Sequence, residues 1–571
     1  MRSLDLLFSN ARIADVFRLR TFSGWVGVAA GRFVYVEEGS PPTDVRASQQ
    51  RDLGGAYLAP GLIDAHMHIE SSLMTPRGFV MAALPHGTTA VLADPHEVAG
   101  VAGEEGVRWM IEASADLPLR VYHAIPSCVP ATSPELEWTA ERIDAEAVGR
   151  LAVESSVLAL GEVMDCRAVL EESEPLRARV AAALKAGLLV EGHVPSLRGM
   201  ALSEYLAWGI LSDHTLADPA KLEQQISKGL AVMLQANSCR PDVMAAVLAL
   251  PDRSRVLLVT DDVEPPLLLQ GHLSTIVRMA IQAGLPALEA LAGATIRPAR
   301  YLGLRDQGGI APGFRADFLI LDDVAVFPPR EVWIEGRQVA ARGRVSVELP
   351  ATPHPPAAHP VPGPIGPKFF RLVESGEPIH VVANAVRVLN EVNSLTDLER
   401  VPLAIKHGCA QLQDYDRAAL AAVFARDLSS HTVGVLLDLG LATGAYASSF
   451  AHDSHNLLVV GRDVPSMCLA AETVHQLGGG VAVARDGRVL AALPLPVMGI
   501  LSDAPPIEVA RDLGAVEEAL RAMGVRHQRP FLILSLLALS VSPRFKFTDK
   551  GVIDVEARRL LPPWEPAGHG Q

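Results

Sequence analysis

Short apolar runs alternate with longer segments of helical periodicity between about residues 58 and 304. Eight of the short runs predict β-strands, at residues 62–69, 89–93, 119–124, 157–163, 188–193, 209–214, 231–235 and 255–260. Most of these runs precede a helix-length segment, such as residues 98–115 and 172–186. This alternation predicts an α/β fold, and eight such units are typical of a (β/α)8 TIM-like barrel. A doubly wound open sheet would give a similar number of strands.

Short β-type segments precede and follow this region. Residues 6–36 and 308–347 contain apolar and polar positions that partly alternate. Because each piece alone is too small to bury one face of a sheet, we expect the two to join. The sequence therefore predicts a discontinuous small β-sandwich made of residues 1–57 plus 308–349, interrupted by a barrel domain at 58–307.

The last third of the chain begins with a proline-rich stretch at residues 350–368, which predicts a linker without regular structure. We expect its two histidines, His354 and His359, to be solvated. Residues 369–571 mix strand-like and helix-like patterns and predict a C-terminal α+β domain. The glycines at 478–480 lack the spacing of a phosphate-binding loop.

Composition narrows the classes of partner. A chain of 571 residues is longer than one hydrophobic core usually serves, in line with several domains. The net charge of −15 argues against nucleic acid and anionic membranes as partners. Five scattered cysteines and an N-terminus without a signal-peptide core predict reduced thiols in a cytoplasmic protein. If the protein associates, we expect a homodimer or a larger homo-oligomer.

Unusual polar residues follow the predicted barrel strands. His66 and His68 are two residues apart in the first strand, so their side chains share one face. The strand ends carry His66 and His68, then Asp94, His96 and Glu97, then Glu162, His193, His214 and Asp261. Each residue alone has a simpler explanation, such as a turn, a solvated charge or a hydrogen-bonded histidine. Together they predict a site, because the carboxyl ends of barrel strands converge on one mouth.

Four histidines and two carboxylates at such a mouth can hold two divalent metal ions about 4 Å apart. The layout assigns His66, His68 and Asp261 to one ion, assigns His193 and His214 to the other, and places Glu162 between them as a bridging ligand. Two cations lower the pKa of a shared water toward neutrality. Asp261 is then placed to accept its proton and later return it, which predicts a hydrolase.

Several longer segments resemble the adenine deaminase family of the amidohydrolase superfamily. They are PGLIDAHMHIESSLMTP, GTTAVLADPHEVAGV, GEVMD, GHVPSLRG, SDH, TDD, ATIRPARYLGLRDQGGIAPGFRADFLILDD, AHDSHNLLVVG, LGGGVAVARDGRVLAALPLPVMGILSD and LALSVSPRFKFTDKGVIDV. Together they extend over nearly the whole chain.

The resemblance implies hydrolysis of adenine to hypoxanthine and ammonia in purine salvage. It also implies a site with Mn²⁺ or Fe²⁺, with Zn²⁺ as a further candidate, and a glutamate rather than a carbamylated lysine as bridging ligand. Glu162 matches that glutamate. Asp261, Glu162 and His96 are the expected catalytic residues, and Asp94, His96 and Glu97 are expected to contact the purine.

Two departures leave the substrate open. The family usually has an acidic residue after the histidine of the sixth strand, where this chain has Thr215, and the family's arginine and histidine after the last aspartates are absent from VEPP at 263–266. Another amino-purine or a cyclic amide or amidine is therefore an alternative substrate. A non-catalytic purine-binding or scaffold protein is a third interpretation.

The C-terminal region carries a polar cluster of its own. His452, Asp453, His455 and Asn456 follow one another closely in AHDSHN. A third metal site, a loop closing over the barrel mouth and a subunit contact are the alternatives for this cluster.

Overall fold

The computed structural model describes residues 3–372, 379–412 and 415–567. Small parts of the predicted C-terminal domain, at 373–378, 413–414 and 568–571, lie outside the described residues. The chain divides into two compact units. The first unit contains the chain up to Pro95, Met110–Ser127 and Asp144–Pro353, and the second contains His96–Trp109, Cys128–Ile143 and the chain from His354 onward.

The first unit begins with five strands of one sheet. They are β1 (Leu4–Asp15), β2 (Arg20–Ala29), β3 (Arg32–Glu38), β4 (Ala47–Asp52) and β5 (Tyr57–Pro60). β1 runs antiparallel to β2 and parallel to β4 and β5. Buried apolar positions such as Leu6, Phe8 and Ile13 supply the core on one side of this sheet.

Eight parallel strands follow. They are β6 (Leu62–Met67), β7 (Thr88–Ala93), β8 (Arg120–Ile125), β9 (Val157–Val163), β10 (Leu189–Gly192), β11 (Ser212–Asp213), β12 (Ala231–Leu234) and β13 (Val256–Leu258). β6 to β10 form a five-stranded sheet and β11 to β13 a three-stranded one. Small and branched side chains such as Ala90, Ala124, Ala159 and Leu257 belong to a shared core.

Hydrogen bonds join the two parallel sheets at both edges. The Leu211 amide donates to the Val190 carbonyl at 3.0 Å, which joins β10 to the β11 strand. At the other edge the Asp261 amide donates to the His66 carbonyl at 3.2 Å, beside a parallel bridge between Met67 and Asp261. The strands therefore close into a TIM-like barrel.

Twelve helices accompany the barrel strands. They are α1 (Pro76–Ala83), α2 (His96–Ser114), α3 (Ala145–Leu151), α4 (Cys166–Leu170), α5 (Glu174–Lys185), α6 (Gly199–Leu206), α7 (Pro219–Ser227), α8 (Pro241–Ala249), α9 (Pro265–Leu268), α10 (Leu273–Gln282), α11 (Ala287–Gly293) and α12 (Ile296–Tyr301). Aspartates cap some of them: Asp144 accepts from the Ala147 amide and Asp218 from the Lys221 amide. The helix predicted at 98–115 begins at His96, and the one predicted at 172–186 spans α5.

Some barrel strands are shorter than predicted. The strand predicted at 209–214 is limited to Ser212–Asp213, because Gly209 has a φ of 88° and still belongs to the preceding turn. β6 ends at Met67, one residue before His68, and β13 ends at Leu258, before Asp261. Several polar residues of the predicted mouth therefore lie just after their strands, where the backbone can turn them inward.

The chain then returns to the first sheet with four strands. They are β14 (Phe318–Leu321), β15 (Glu331–Ile334), β16 (Arg337–Ala341) and β17 (Arg344–Val345). β14 pairs antiparallel with β5, so the two distant segments form one nine-stranded sheet. The rings of Phe318 and Trp333 stack at 5.5 Å, and Phe8 meets Phe318 edge-on at 5.3 Å. The domain limits at 57, 307 and 349 stay predictions.

The second unit contains most of the remaining elements. Its strands are β18 (Ile379–Val388), β19 (Thr396–Lys406), β20 (Cys409–Ala410), β21 (Ala418–Phe424), β22 (His431–Leu437), β23 (Ala445–Ser448), β24 (Leu457–Gly461), β25 (Gly480–Arg485), β26 (Arg488–Pro494), β27 (Phe545–Thr548), β28 (Gly551–Asp554), β29 (Arg559–Leu561) and β30 (Trp564–Pro566). Its later helices are α13 (Val464–Gln476), α14 (Pro506–Ala522) and α15 (Pro530–Ser535). Ten of the strands form one sheet, against whose core α13 packs Met467, Ala470 and Val474.

The proline-rich stretch is ordered against this core. Residues 346–366, all of them described, contain no helix or strand, as proline content predicts. Val361 and Ile365 are nevertheless buried in the core of the second unit, while His354 and His359 are exposed. The stretch is thus packed against the second unit rather than freely extended.

In the part of the chain that the structure describes, we find no helix with both the length and the apolar character needed to cross a membrane. All five cysteines are free thiols.

Arg120 provides a test of how the barrel is held to the first sheet. At the start of β8 it contacts the Asp317 carboxylate and donates to Glu335 Oε1 at 2.9 Å. Arg120 and Asp317 are only 16% and 7% exposed, so Arg120→Leu would leave a buried carboxylate without its cation. We expect the free energy of unfolding to fall by about 3 kcal/mol, measured by urea denaturation.

The matched control is Arg167→Leu. The Arg167 side chain is 58% exposed and pairs with the exposed Glu171 at 2.7 Å. Its loss should cost less than about 1 kcal/mol. Equal effects of the two substitutions would contradict the proposed role of the Arg120 pair.

Candidate metal centre

His66, His68 and Asp261 come together because the barrel closes between its first and last strands. β6 carries His66, and His68 follows it on the same side, with ring centroids 5.0 Å apart. Asp261 adopts a left-handed φ of 60°, and its Oδ1 lies 3.4 Å from His68 Nε2 and 4.0 Å from His66 Nε2. These three atoms are close enough to share one cation.

Glu162, at the end of β9, faces two sets of histidines at once. Its Oε2 lies 2.6 Å from His193 Nδ1 and 3.2 Å from His214 Nε2. Its other oxygen, Oε1, lies 3.3 Å from His68 Nε2. Each oxygen of this carboxylate therefore faces at least one histidine nitrogen.

Burial and charge set the protonation of these groups. Burial, with the charges of His214 and His68, lowers the pKa of His66 to about 3, which leaves a neutral imidazole. Burial alone would raise the pKa of Glu162, but His214 and His193 lower it well below its usual range. Burial also opposes the charge on His214, yet Glu162 and Asp261 raise its pKa to about 9. The carboxylates of Glu162 and Asp261 thus favour positive charge on the groups next to them.

The donors fit divalent transition metals. Imidazole nitrogens and carboxylate oxygens are common ligands of zinc, iron and manganese. Separations of 3.2–4.0 Å between the facing atoms suit ligands that surround a common ion at about 2.1 Å. These residue groups therefore fit a divalent metal ion.

A second layer of contacts orients the histidines. His66 Nδ1 donates to Glu191 Oε2 at 3.0 Å, and the Tyr301 hydroxyl donates to Glu191 Oε1 at 3.2 Å. His68 Nδ1 donates to the Asp94 carbonyl at 3.0 Å. Such bonds fix the ring tautomer and leave Nε2 as the ligand atom.

The sequence-based reasoning did not include Glu191 or Tyr301. The sequence did contain a signal for Glu191. It lies two residues before His193 in EGH, and side chains two residues apart along a strand point to the same face. Burial raises the pKa of Glu191 to about 8. Tyr301 lies on α12 and has no comparable signal in the sequence.

Asp213 is a further residue that sequence reasoning missed. It accepts hydrogen bonds from the Val194 amide at 2.8 Å and from Thr215 Oγ1 at 2.8 Å, and it pairs with buried Lys221 Nζ at 2.8 Å. These bonds fix the backbone on both sides of His214. Thr215, one of the two departures from the family pattern, is thus hydrogen-bonded to Asp213.

The three residues predicted to contact a purine have different surroundings. Asp94 belongs to the first unit, where its Oδ2 accepts from the Glu162 amide at 3.1 Å. It packs so closely on Gly161 that a Cβ there would lie 2.0 Å from Oδ2. His96 and Glu97 belong to the second unit, where Glu97 contacts His452 and His455.

Solved structures of other hydrolases resemble part of the chain. A β-aspartyl dipeptidase from Fervidobacterium islandicum AW-1 covers 61% of this chain and 100% of its own at 18% identity, with a TM-score of 0.47. An adenosine deaminase from Xanthomonas campestris covers 61% and 95% at 16% identity, with a TM-score of 0.40. Similarity at this level carries no conclusion about function.

Sequence profiles and relatives are more informative. Residues 57–386 match the Amidohydrolase family, and residues 393–559 match the Adenine deaminase C-terminal domain. An adenine deaminase of Oleidesulfovibrio alaskensis is 37% identical over 98% of this chain and 96% of its own. Those of Nitratidesulfovibrio vulgaris and Halalkalibacterium halodurans are 38% and 36% identical over 97% and 96% of this chain, and over 95% and 94% of their own. The chain therefore belongs to the adenine deaminase family of the amidohydrolases.

Proposed function

We propose that this chain hydrolyses adenine to hypoxanthine and ammonia and so serves purine salvage. The observation that carries the proposal is the two-sided placement of Glu162 among four buried or half-buried histidines and Asp261. Similarity to proteins named adenine deaminase over nearly their whole length supports adenine as the substrate. A location in the cytoplasm and assembly into a homodimer or larger homo-oligomer are further parts of the proposal.

The proposed metal ions are two of Mn²⁺ or Fe²⁺, with Zn²⁺ as a further candidate, because imidazole and carboxylate ligands suit these ions. One ion would be held by His66, His68 and Asp261, the other by His193 and His214, and Glu162 would contact both. When bound, such ions lower the pKa of water toward neutrality and so supply a nucleophile.

Asp261 is the proposed base. The side-chain amide of Gln235 donates through Nε2 to Asp261 Oδ2 at 2.8 Å, while Asp261 Oδ1 faces His66 and His68. Both oxygens of the Asp261 carboxylate therefore have contacts, which hold the carboxylate in one orientation. From there Asp261 would take the proton of the attacking water and return it to the departing amine.

Attack on the purine carbon that bears the amine places negative charge on the ring, so a ring nitrogen must gain a proton before ammonia leaves. We assign the ring contact and this protonation to His96, which regains a proton when the added hydroxyl loses its own as ammonia leaves and the carbonyl of hypoxanthine forms. Asp94 and Glu97 stay proposed contacts of the purine, and each also has contacts within the protein. Asp94 accepts from the Glu162 amide, and Glu97 has histidines at both carboxylate oxygens.

The proposal predicts ammonia release from adenine that depends on metal. Chelator-stripped protein should release none, and reconstitution with Mn²⁺ or Fe²⁺ should restore release with hypoxanthine as the second product. The measurement is a coupled ammonia assay with chromatographic detection of hypoxanthine. Ammonia release only from another amino-purine, or ring opening of a cyclic amide without ammonia release from adenine, would replace adenine as the proposed substrate. Purine binding by metal-replete protein without ammonia release would favour a scaffold.

A pair of substitutions separates metal binding from proton transfer. Glu162→Gln should lower metal content and turnover together, because it removes the charge shared by both ligand groups. Asp261→Asn should keep most of the metal and lower turnover by about 10²- to 10⁴-fold, because it removes the base. Metal content is measured by plasma mass spectrometry and turnover by ammonia release.

Glu204→Gln is the matched control for these substitutions. Glu204 is an exposed carboxylate on α6, so its neutralisation should leave both quantities unchanged. Wild-type turnover in either Glu162→Gln or Asp261→Asn would refute the assigned roles.

A further inference from the structure

A second cluster of buried titratable side chains lies within the second compact unit. Glu97, at the start of α2, is fully buried there. Its Oε2 lies 2.5 Å from His455 Nε2, and its Oε1 contacts His452 Nδ1. We refer to His452 and His455 together as the histidine clamp. Each oxygen of one carboxylate therefore meets one histidine of the clamp.

The direction of the hydrogen bond from His455 follows from its other nitrogen. His455 Nδ1 accepts from the Ala451 amide at 3.3 Å, so the ring proton is on Nε2 and is donated to Glu97. Burial lowers the pKa of His455, in agreement with a neutral ring. Burial alone would raise the pKa of Glu97, but His452, His455 and His96 lower it well below its usual range. Glu97 is thus an ionised carboxylate that accepts hydrogen bonds from the histidines of the clamp.

The loop that carries the clamp is tied down by main-chain contacts. The His455 carbonyl accepts from Arg426 Nε at 2.8 Å, and the His452 amide donates to the Ser535 carbonyl at 3.1 Å. α2 approaches the loop so closely that a Cβ on Gly100 would lie 2.6 Å from the Asp453 carbonyl oxygen. These contacts leave the clamp little freedom to move away from Glu97.

His96 lies next to the clamped carboxylate. Its Nε2 is 3.5 Å from Glu97 Oε1 and 3.8 Å from Asp453 Oδ1. Two carboxyl groups on one side of the ring favour an imidazole orientation that turns an N–H toward them. The orientation of His96 thus depends on where Glu97 and Asp453 are held.

We propose that the histidine clamp, acting through Glu97, positions the imidazole of His96. His452 and His455 are positioning residues under this proposal, and the proposal rests on the function assigned to His96 above. A metal ion held by His96, Glu97 and Asp453 is the competing explanation, since ligand atoms of these three lie within 4.8 Å of one another. The clamp is favoured because Glu97 Oε2 already accepts a hydrogen bond from His455 Nε2, a donor role that the contact of His455 Nδ1 with the Ala451 amide sets.

Substitutions that keep or remove the donated hydrogen bond test the clamp. His455→Leu and His452→Leu should lower kcat for adenine by about 10- to 100-fold with little change in KM, because His96 loses its orientation. His455→Gln and His452→Asn place an amide N–H near the original nitrogen and should recover most of the loss. The control is His527→Leu, a buried histidine of the same unit whose ring contacts main-chain atoms of Arg529 and Asn393.

A second measurement does not need activity. The protein is labelled with ¹⁵N at histidine, and the NMR signals of the His96 ring are assigned by their loss in His96→Gln. These signals should shift in His455→Leu and in Glu97→Gln. They should stay in place in His527→Leu. This readout separates the clamp from the proposed function: an inactive wild type would refute adenine hydrolysis, while the His96 signals would still report on the clamp.

Three results would overturn the clamp. One is a kcat of His455→Leu within twofold of wild type, together with unchanged His96 signals. Another is a folded His455→Gln, checked by circular dichroism, that is as slow as His455→Leu. The last is a third metal ion per chain that Asp453→Asn removes, because an ion would then hold the cluster together.

Discussion

The site depends on one carboxylate whose two oxygens face different histidines. Glu162 Oε2 meets His193 and His214, while Oε1 meets His68. A buried carboxylate surrounded by imidazoles is costly unless positive charge compensates it. His214, whose pKa is raised by Glu162 and Asp261, supplies part of this compensation, and the proposed metal ions would supply the rest.

Barrel closure makes this arrangement available. Met67 bridges to Asp261, and the Asp261 amide donates to the His66 carbonyl, so the first and last strands present their ligands side by side. Since strand register sets which side chains face inward, a shift of one residue at this seam would turn Asp261 away from His66 and His68. The return of the chain through β14 to β5 then completes the sheet next to the barrel.

The second unit uses the same chemistry for a different purpose. There a glutamate also meets several histidines, but each Glu97 oxygen already faces a histidine of the clamp. The Glu162 carboxylate, in contrast, faces histidines that follow three different barrel strands, with His193 Nδ1 at 2.6 Å and the nitrogens of His68 and His214 at 3.2–3.3 Å. Similar residue types are thus proposed as metal ligands in one case and as a support for another histidine in the other.

Much of this protein was determined by its sequence alone. Alternating strand and helix patterns predicted the barrel, and the two-residue spacing of His66 and His68 predicted a shared face. The motifs predicted the adenine deaminase family, which the sequence profiles and relatives confirm. These features are local, because spacing along a strand or within a motif already decides where a side chain points.

Tertiary structure alone decided how the site is supported. The supporting contacts join residues that are far apart in the chain. They are those of Glu191 and Tyr301 behind His66, of Gln235 with Asp261, and of His452 and His455 with Glu97. It also ordered Val361 and Ile365 of the proline-rich stretch against a core. No periodicity encodes such pairs, because the distance between two side chains from remote segments is set by how the intervening strands and helices pack.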